Sequence, residues 1–273
     1  MKIEMITIIK WLSANKLAFN ADKTEFMIFD SSDESSNIHV NLDTISISID
    51  ECKETKYLGL MLDSKLNFKA HIEYIKKKVS KRIGAMYRSK GLLPLKYRKM
   101  FANALMLPQF DYLDTIYNRA GITKLKELDI LYKKVAKIAL GVEKTESSLT
   151  VYQDMKWLPL HLRRQLHLSN YMYRIINSDC PTNFTNKFKY VSGGSRSAEN
   201  CDLYVDRSMS HKDFYYLGAK CWNTLPPNMR DASSISSFST KLKQTLLSSI
   251  VEDPNYNVNN HFDYFYCPTS TDI

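Results

Sequence analysis

The side chains in this sequence best able to do chemistry are charged, and the densest group of them is cationic. Lys76, Lys77, Lys78, Lys81, Arg82 and Arg88 crowd one short stretch. Such a run suits phosphate tracking along a duplex, because those contacts need charge and reach rather than base-specific geometry. Asp111 and Asp114 stand one helical turn apart and in principle can chelate a cation, yet Tyr112 and the apolar neighbours favour an ordinary helix face with two solvated carboxylates. Cys180, Cys201, His211 and Cys221 are of zinc-ligand type. A zinc knuckle closes a compact loop with ligands about two to four residues apart, and these are spread far wider, so they read as scattered core residues and no metal site is expected.

The protein that must hold these groups is globular by composition. Its 273 residues are 44% hydrophobic and 25% charged, with 17 Tyr, 12 Phe and 3 Trp to fill cores and only 8 Gly and 8 Pro. That excludes wholesale disorder and collagen-like or linker-type chains. No apolar run is long enough to span a membrane, and the N-terminal MKIEMITIIK, broken by Glu4 and Lys10, lacks a signal-peptide cleavage pattern. Five scattered cysteines without a CxxC pair argue against a disulfide framework. The expected location is therefore intracellular and reducing, nucleus or cytoplasm. The net charge of +9 is unevenly placed, since residues 53–140 carry 20 Lys/Arg against 7 Asp/Glu, leaving the remainder slightly acidic. A field concentrated in that way faces a polyanion or is a solvated helix surface.

Periodicity supplies the elements. Met5, Ile8, Ile9 and Leu12 are spaced for a helix that Asn15 stops, and Thr24–Phe29 is rich in strand formers. Ile38, Val40 and Leu42, then Ile45, Ile47 and Ile49, alternate with polar residues and predict a hairpin, and Lys56–Asp63 predicts a second strand pair around Gly59. Phe68, Ile72, Ile75, Val79, Ile83 and Met86/Tyr87 then advance in steps of three and four, with the lysines on the remaining surface: a long basic amphipathic helix. Helices are predicted from Pro94 to Tyr117, from Thr123 to Leu140 with Gly141 as its stop, from Leu160 to Ile176, and from Ile235 behind capping serines. Residues 178–210 read as a long loop or lid. Trp157 and Trp222, each followed closely by Leu-Pro, read as core anchors.

Several stretches carry a resemblance. WLSANKLAFNADKTEFMIF, Trp11 to Phe29, followed by ETKYLGLMLDSKLNFKAHI, Glu54 to Ile72, resembles the end of the palm and the entrance to the thumb in reverse transcriptases of non-LTR (LINE-type, jockey-like) retrotransposons. WLPLHLRRQLHLSNYMYRI, Trp157 to Ile175, and FYYLGAKCWNTLPPNMRDASSISSFSTKLKQ, Phe214 to Gln244, are similar to segments C-terminal to the thumb in these elements. The resemblance implies that Lys23 occupies the position of a palm lysine that assists departing pyrophosphate, and that Tyr57, Leu58 and Gly59 form the turn supporting the primer end. For Leu58, burial is the favoured reading over contact. It further implies that the basic helix belongs to a thumb. The family's two Mg²⁺ ions sit on carboxylates from an upstream Asp and an aromatic-x-Asp-Asp hairpin, and neither precedes Trp11 here, so Lys23 is expected to be idle and this fragment to use no cofactor.

The expectation is an α+β chain, mostly helical. A small palm-derived antiparallel β layer occupies 1–66, a basic helical thumb bundle 67–141, a helical C-terminal extension 142–251 and a flexible tail 252–273. Its partners are an RNA–DNA or DNA duplex and the missing fingers-and-palm portion, with no membrane. The alternatives are a repurposed helical interaction protein whose basic face serves solubility, and a decayed element without a selected role.

Overall fold

The computed structural model describes residues 2–29, 37–42, 45–89, 91–177, 180–206, 208–210 and 213–252, and it divides into two compact units, Met1–Tyr74 and Ile75–Ile273. The chain is a mostly helical α+β protein, as its periodicities predict.

In the first unit, α1 (Lys2–Ala14) ends as expected at Asn15, whose side-chain amide donates to the Trp11 carbonyl at 2.8 Å. Ile9 of this helix and Ile49 are the buried centre of a small core, with Met5, Ile6, Phe19, Ala21 and Phe26 packed round them. The predicted first hairpin is present: β1 (Asn37–Leu42) and β2 (Ile45–Asp50) pair antiparallel, with Val40 opposite Ile47. Ile49 is buried between exposed Ser48 and Asp50, the alternation that fixes register when one face is covered. The second hairpin joins β3 (Glu54–Tyr57) to β4 (Leu60–Asp63) through a two-residue loop, Leu58-Gly59, in which both residues have positive φ, +47° and +86°. That is the backbone sense that matches the twist of the flanking strands.

The two hairpins are two-stranded antiparallel sheets, the small antiparallel β component expected, and one expectation for this region needs correction. Thr24–Phe29 forms no ladder among the described residues: Phe26 alone bridges Glu51, supported by the Cys52 amide donating to the Phe26 carbonyl at 2.9 Å. Strand-forming side chains suit a pleated surface without guaranteeing a partner strand.

The chain between β4 and the next helix is held by buried Asp63, whose carboxylate accepts from the amides of Asn67 at 3.0 Å and Phe68 at 2.7 Å. This satisfies donors just before α2 (Lys69–Ser89), a helix that begins in the first unit and continues into the second. The predicted stripe is real: Phe68, Ile72, Ile75, Val79, Ile83 and Met86 are all buried, whereas Tyr87 is exposed.

The single helix predicted from Pro94 to Tyr117 is instead four pieces. α3 (Leu95–Phe101) runs into a π-helical turn, Ala102–Met106, then α4 (Leu107–Asp111), and Leu113 turns left-handed at φ +58° before α5 (Asp114–Tyr117). Pro108 has no N–H to give the Ala104 carbonyl, and the Leu107 amide reaches Ala102 across a wider turn, so the regular ladder breaks there. α6 (Ile122–Leu140) matches its prediction, with Gly141 at φ +80° sending its N–H to the Lys137 carbonyl at 2.9 Å. α7 (Ser148–Met155), which periodicity did not reveal, packs on α6.

α8 (Leu160–Ile176) is the hub of the remaining fold. The segment after it is pinned rather than a free lid: it contains α9 (Thr182–Thr185) and α10 (Arg196–Glu199), and Tyr190 bridges Leu203. Leu203 is buried, and its amide and carbonyl are both bonded to the Asn223 side chain at 2.8 Å. α11 (Phe214–Asn223) and α13 (Ile235–Glu252) pack on α8, with α12 (Pro227–Arg230) between them in sequence. Tyr173, Phe238 and Trp222 stack in the middle, with ring centres 4.7 and 6.2 Å apart. Trp157 is buried against Tyr132 at 4.9 Å and donates its indole N–H to Asn103 at 2.7 Å. Both tryptophans are thus core anchors, as read from sequence. From residue 253 onward, the expected tail lies outside the described residues.

Candidate nucleic-acid interface

The buried stripe of α2 forces its lysines outward, but not all to the same end. Lys76 bonds the carboxylate of Glu127 on α6, and Arg82 donates to the Leu105 carbonyl. These two cations hold helices together. Glu127 is also gripped by Lys124 at 2.8 Å, and the bonds from Lys124 and Lys76 bring its carboxyl down to about 2. Lys78 is half-buried. Lys77, Lys81 and Arg88 are exposed, and steps of four and seven residues place them along one face of the helix. Gly84, on the same line, leaves open space with only the Arg88 guanidinium nearby. The arrangement is a cationic ridge with a low point in it.

The other residues singled out from sequence lie in the first unit. Lys23 closes a 3₁₀ turn (Ala21–Lys23), its amide donating to the Asn20 side chain at 3.1 Å, and its own side chain is exposed. Tyr57 and Leu58 are 62% and 72% exposed at the tip of the second hairpin. Burial was the favoured reading for Leu58, and the left-handed loop overturns it: the two-residue turn carries the side chain away from the sheet. Lys56 lies over the Tyr74 ring at 5.2 Å.

The reading of Asp111 and Asp114 as solvated carboxylates also fails. They sit on either side of the left-handed Leu113, so they belong to different helices and turn inward. Arg163 of α8 clasps Asp111 with two bonds of 2.5 and 2.6 Å, and His167 Nδ1 is 2.5 Å from Asp114 Oδ2. Asp114 is 2% exposed, and burial pushes its carboxyl up against the opposing pull of His167 and Arg164. Sequence separation of more than fifty residues hid these partners.

Asp111, Asp114 and His167 place potential ligand atoms within 4.8 Å of one another. They do not suit Mg²⁺. Both Asp111 oxygens already accept from a guanidinium, an imidazole is a poor ligand for so hard a cation, and buried Arg164 adds positive charge beside Asp114. The described cysteines are free: Cys52 and Cys180 half-buried, Cys201 exposed, Cys221 buried. His211 is outside the described residues. No helix among the described residues is long and apolar enough to cross a membrane.

Comparison with known proteins places this geometry in context. A stretch of 132 residues is 24% identical to a Drosophila melanogaster protein described as a probable RNA-directed DNA polymerase from transposon X-element, covering 47% of this chain and 14% of that relative. Part of the chain is therefore similar to a transposon-encoded RNA-directed DNA polymerase. No family model matches, and no solved structure matches.

Proposed function

We propose that this chain is a nucleic-acid-holding part of a non-LTR retrotransposon reverse transcriptase, with α2 as a thumb helix that tracks the phosphates of an RNA–DNA or DNA duplex. The observation that carries the reading is the exposed ridge of Lys77, Lys81 and Arg88 on the most basic helix, alongside the polymerase similarity. Tyr57, Leu58 and Gly59 form a projecting tip that suits contact with a primer end, and Lys23 keeps an inherited position without a metal-bound triphosphate to act on. The fingers-and-palm portion of such a polymerase is the partner this reading calls for.

The test is binding to an RNA–DNA hybrid as salt is raised. Each phosphate neutralised on B-form DNA adds roughly 0.9 to the slope of log affinity against log salt, so a ridge of this kind produces a steep dependence and little sequence preference. Absence of hybrid binding even at low salt would refute the proposal. A competing reading, a protein-interaction surface, draws on Leu92, Tyr97 and Met100, which are large, apolar and exposed. Binding driven by those residues strengthens with apolar area and is largely indifferent to salt.

A further inference from the structure

In the second unit, α7 and α13 wall a groove whose cavity is about 190 Å³. Leu149, Tyr152, Gln153 and Lys156 recur in steps of three and four along α7 and its cap, and Leu247 and Ile250 line the cavity from α13. Tyr152 and Ile250 are buried, and Leu149 and Leu247 pack against the core, so the walls are apolar and fixed. The volume falls below the ~300 Å³ at which small-molecule sites begin, which leaves room for one large side chain rather than a metabolite.

One end of the groove is cationic. Lys156 closes α7 in the left-handed conformation, φ +55°, and is exposed. Lys243 is half-buried, one turn before Leu247 on the same face of α13. Burial pushes its ammonium down, and the nearby charges of Arg163 and Lys156 push it further. Arg163 has Asp111 as its counter-ion, whereas no ion pair reaches Lys156 or Lys243 among the described residues. Two cations held together without an acid, beside an apolar cavity, call for an anionic segment with an apolar anchor.

The chain's own sequence supplies one. Beyond α13, residues 253–273 contain Asp253, Asp263 and Asp272 but no Lys or Arg, and Phe262-Asp263-Tyr264-Phe265-Tyr266 sets an acid among aromatics. Twelve residues lead from Ile250, in the groove wall, to Phe262. That length reaches up to about 40 Å, against roughly 10 Å along the helix from Ile250 back to Lys243. So short a tether gives an effective concentration of about millimolar, which places an untethered partner at a disadvantage.

We propose that this groove receives the chain's own C-terminal sequence Phe262–Tyr266, with Phe265 in the cavity and Asp263 against Lys156 and Lys243. Residues two apart in an extended segment point to one side about 7 Å apart, close to the helical turn that separates Lys243 from Leu247. Cys267 continues that side. The inference is independent of the nucleic-acid reading: it makes the C-terminus a clasp between α7 and α13 that neutralises two cations away from α2.

The experiment traps the clasp through Cys267. Gln153→Cys, made in the full chain, puts a second thiol on the exposed rim of the groove, and brief oxidation with diamide is followed by peptide mass spectrometry. The introduced thiol should join Cys267 within one chain at least about tenfold faster than the same change at exposed Lys77. Phe265→Ala should slow the joining about tenfold, the scale of an aromatic anchor. Lys156→Glu with Lys243→Glu should slow it about fivefold, and Asp263→Lys should restore it in that background. Equal joining at Gln153→Cys and Lys77→Cys, or indifference to Phe265→Ala or to the charge reversal, overturns the proposal. Disulfides formed only between chains overturn it by making a second copy the occupant. Weaker hybrid binding on reversal of the two lysines, with no trapping at Gln153→Cys, overturns it by assigning them to phosphate. Hybrid binding is measured separately, so failure of the clasp leaves the α2 ridge standing.

Discussion

The ammonium of Lys76 on α2 is bonded to the carboxylate of Glu127 on α6, whose other oxygen is held by Lys124 at 2.8 Å. One of the most conspicuous cations of the sequence is thus a structural tie, whereas Lys77, Lys81 and Arg88 on the same helix are exposed. Replacing Lys77, Lys81 and Arg88 together by Gln should flatten the salt dependence of hybrid binding by up to about three contacts, roughly 0.9 in slope for each on B-form DNA. Lys76→Gln should leave that slope nearly unchanged. Equal slopes for both variants, measured by fluorescence anisotropy, would contradict the division.

The same pair predicts a pH dependence. Glu127 is held at about 2, below its ordinary 4.5, by hydrogen bonds from Lys124 and Lys76. A carboxyl depressed on folding contributes stability above its unfolded value and loses it as pH falls toward the folded value. The pair is therefore fully effective at pH 7 and fades between about 4.5 and 2. Glu127→Gln should be less stable than the parent at pH 7, by no more than about 1 kcal/mol for a partly exposed pair, and the difference should close at low pH. Urea melts of both proteins across that range give the answer.

Much of this architecture is legible in the sequence, for reasons that differ by element. The buried stripe from Phe68 to Met86 obeys one period throughout, so the helix and its face follow directly. Gly141 marks a helix end because φ +80° is cheap for it alone, and a side chain there would also meet the Arg98 guanidinium at 2.5 Å. The misses are non-local. Thr24–Phe29 has strand chemistry but no ladder partner among the described residues, and Leu113 breaks a helix for reasons its neighbours do not show. The Asp111 and Asp114 cluster was invisible because Arg163 and His167 arrive from α8, although three arginines and two histidines within one amphipathic helix were a signal that it carried buried polar partners.

Trp222 and Gly218 test the core of the second unit. Trp222→Ala opens a cavity beside Phe238 and removes the stack 6.2 Å away, a loss of roughly 3 to 5 kcal/mol and enough to unfold a marginal domain. Gly218→Ala works oppositely, by overfilling: its new methyl would stand 2.5 Å from the sulfur of buried Met172 on α8. The helix propensity gained, about 1 kcal/mol, is outweighed by repacking of about 1 to 3 kcal/mol. Both variants should melt lower than the parent, Trp222→Ala by more. A Gly218→Ala protein that melts higher would show that Met172 moves aside freely.

Thiol chemistry separates the described cysteines. Burial pushes Cys221 up to about 12, opposed only in part by its bond with Ser169, so it stays a neutral thiol at pH 8, and the thiolate is the reactive form. Burial likewise raises Cys52. Cys201 is exposed. Brief alkylation at pH 8 followed by peptide mass spectrometry should find Cys201 modified first and Cys221 only after denaturant is added. Early labelling of Cys221 would mean that α8 and α11 separate readily.

The purified 273-residue chain should not extend a primer on any template. Reverse transcription by two-metal chemistry requires carboxylates that converge on a pair of Mg²⁺ ions, because the attacking hydroxyl and the departing pyrophosphate both need charge neutralised. These residues contain no Asp-Asp pair anywhere. Among the described residues, Asp111 and Asp114 converge with His167, and they are already engaged by Arg163 and His167. Lys23, standing alone, cannot replace them: a general acid contributes perhaps 10² to 10⁴-fold, while the metal pair supplies the electrostatic basis of the displacement itself. A primer-extension assay in Mg²⁺ and then Mn²⁺ decides the matter, with incorporation that survives removal of contaminating polymerases counting against the whole argument. Supplying a separately made fingers-and-palm piece from a related element is the complementary arm. Synthesis restored in that mixture, and lost again in Lys23→Ala, would show that Lys23 reaches the triphosphate once metal-bearing carboxylates are provided.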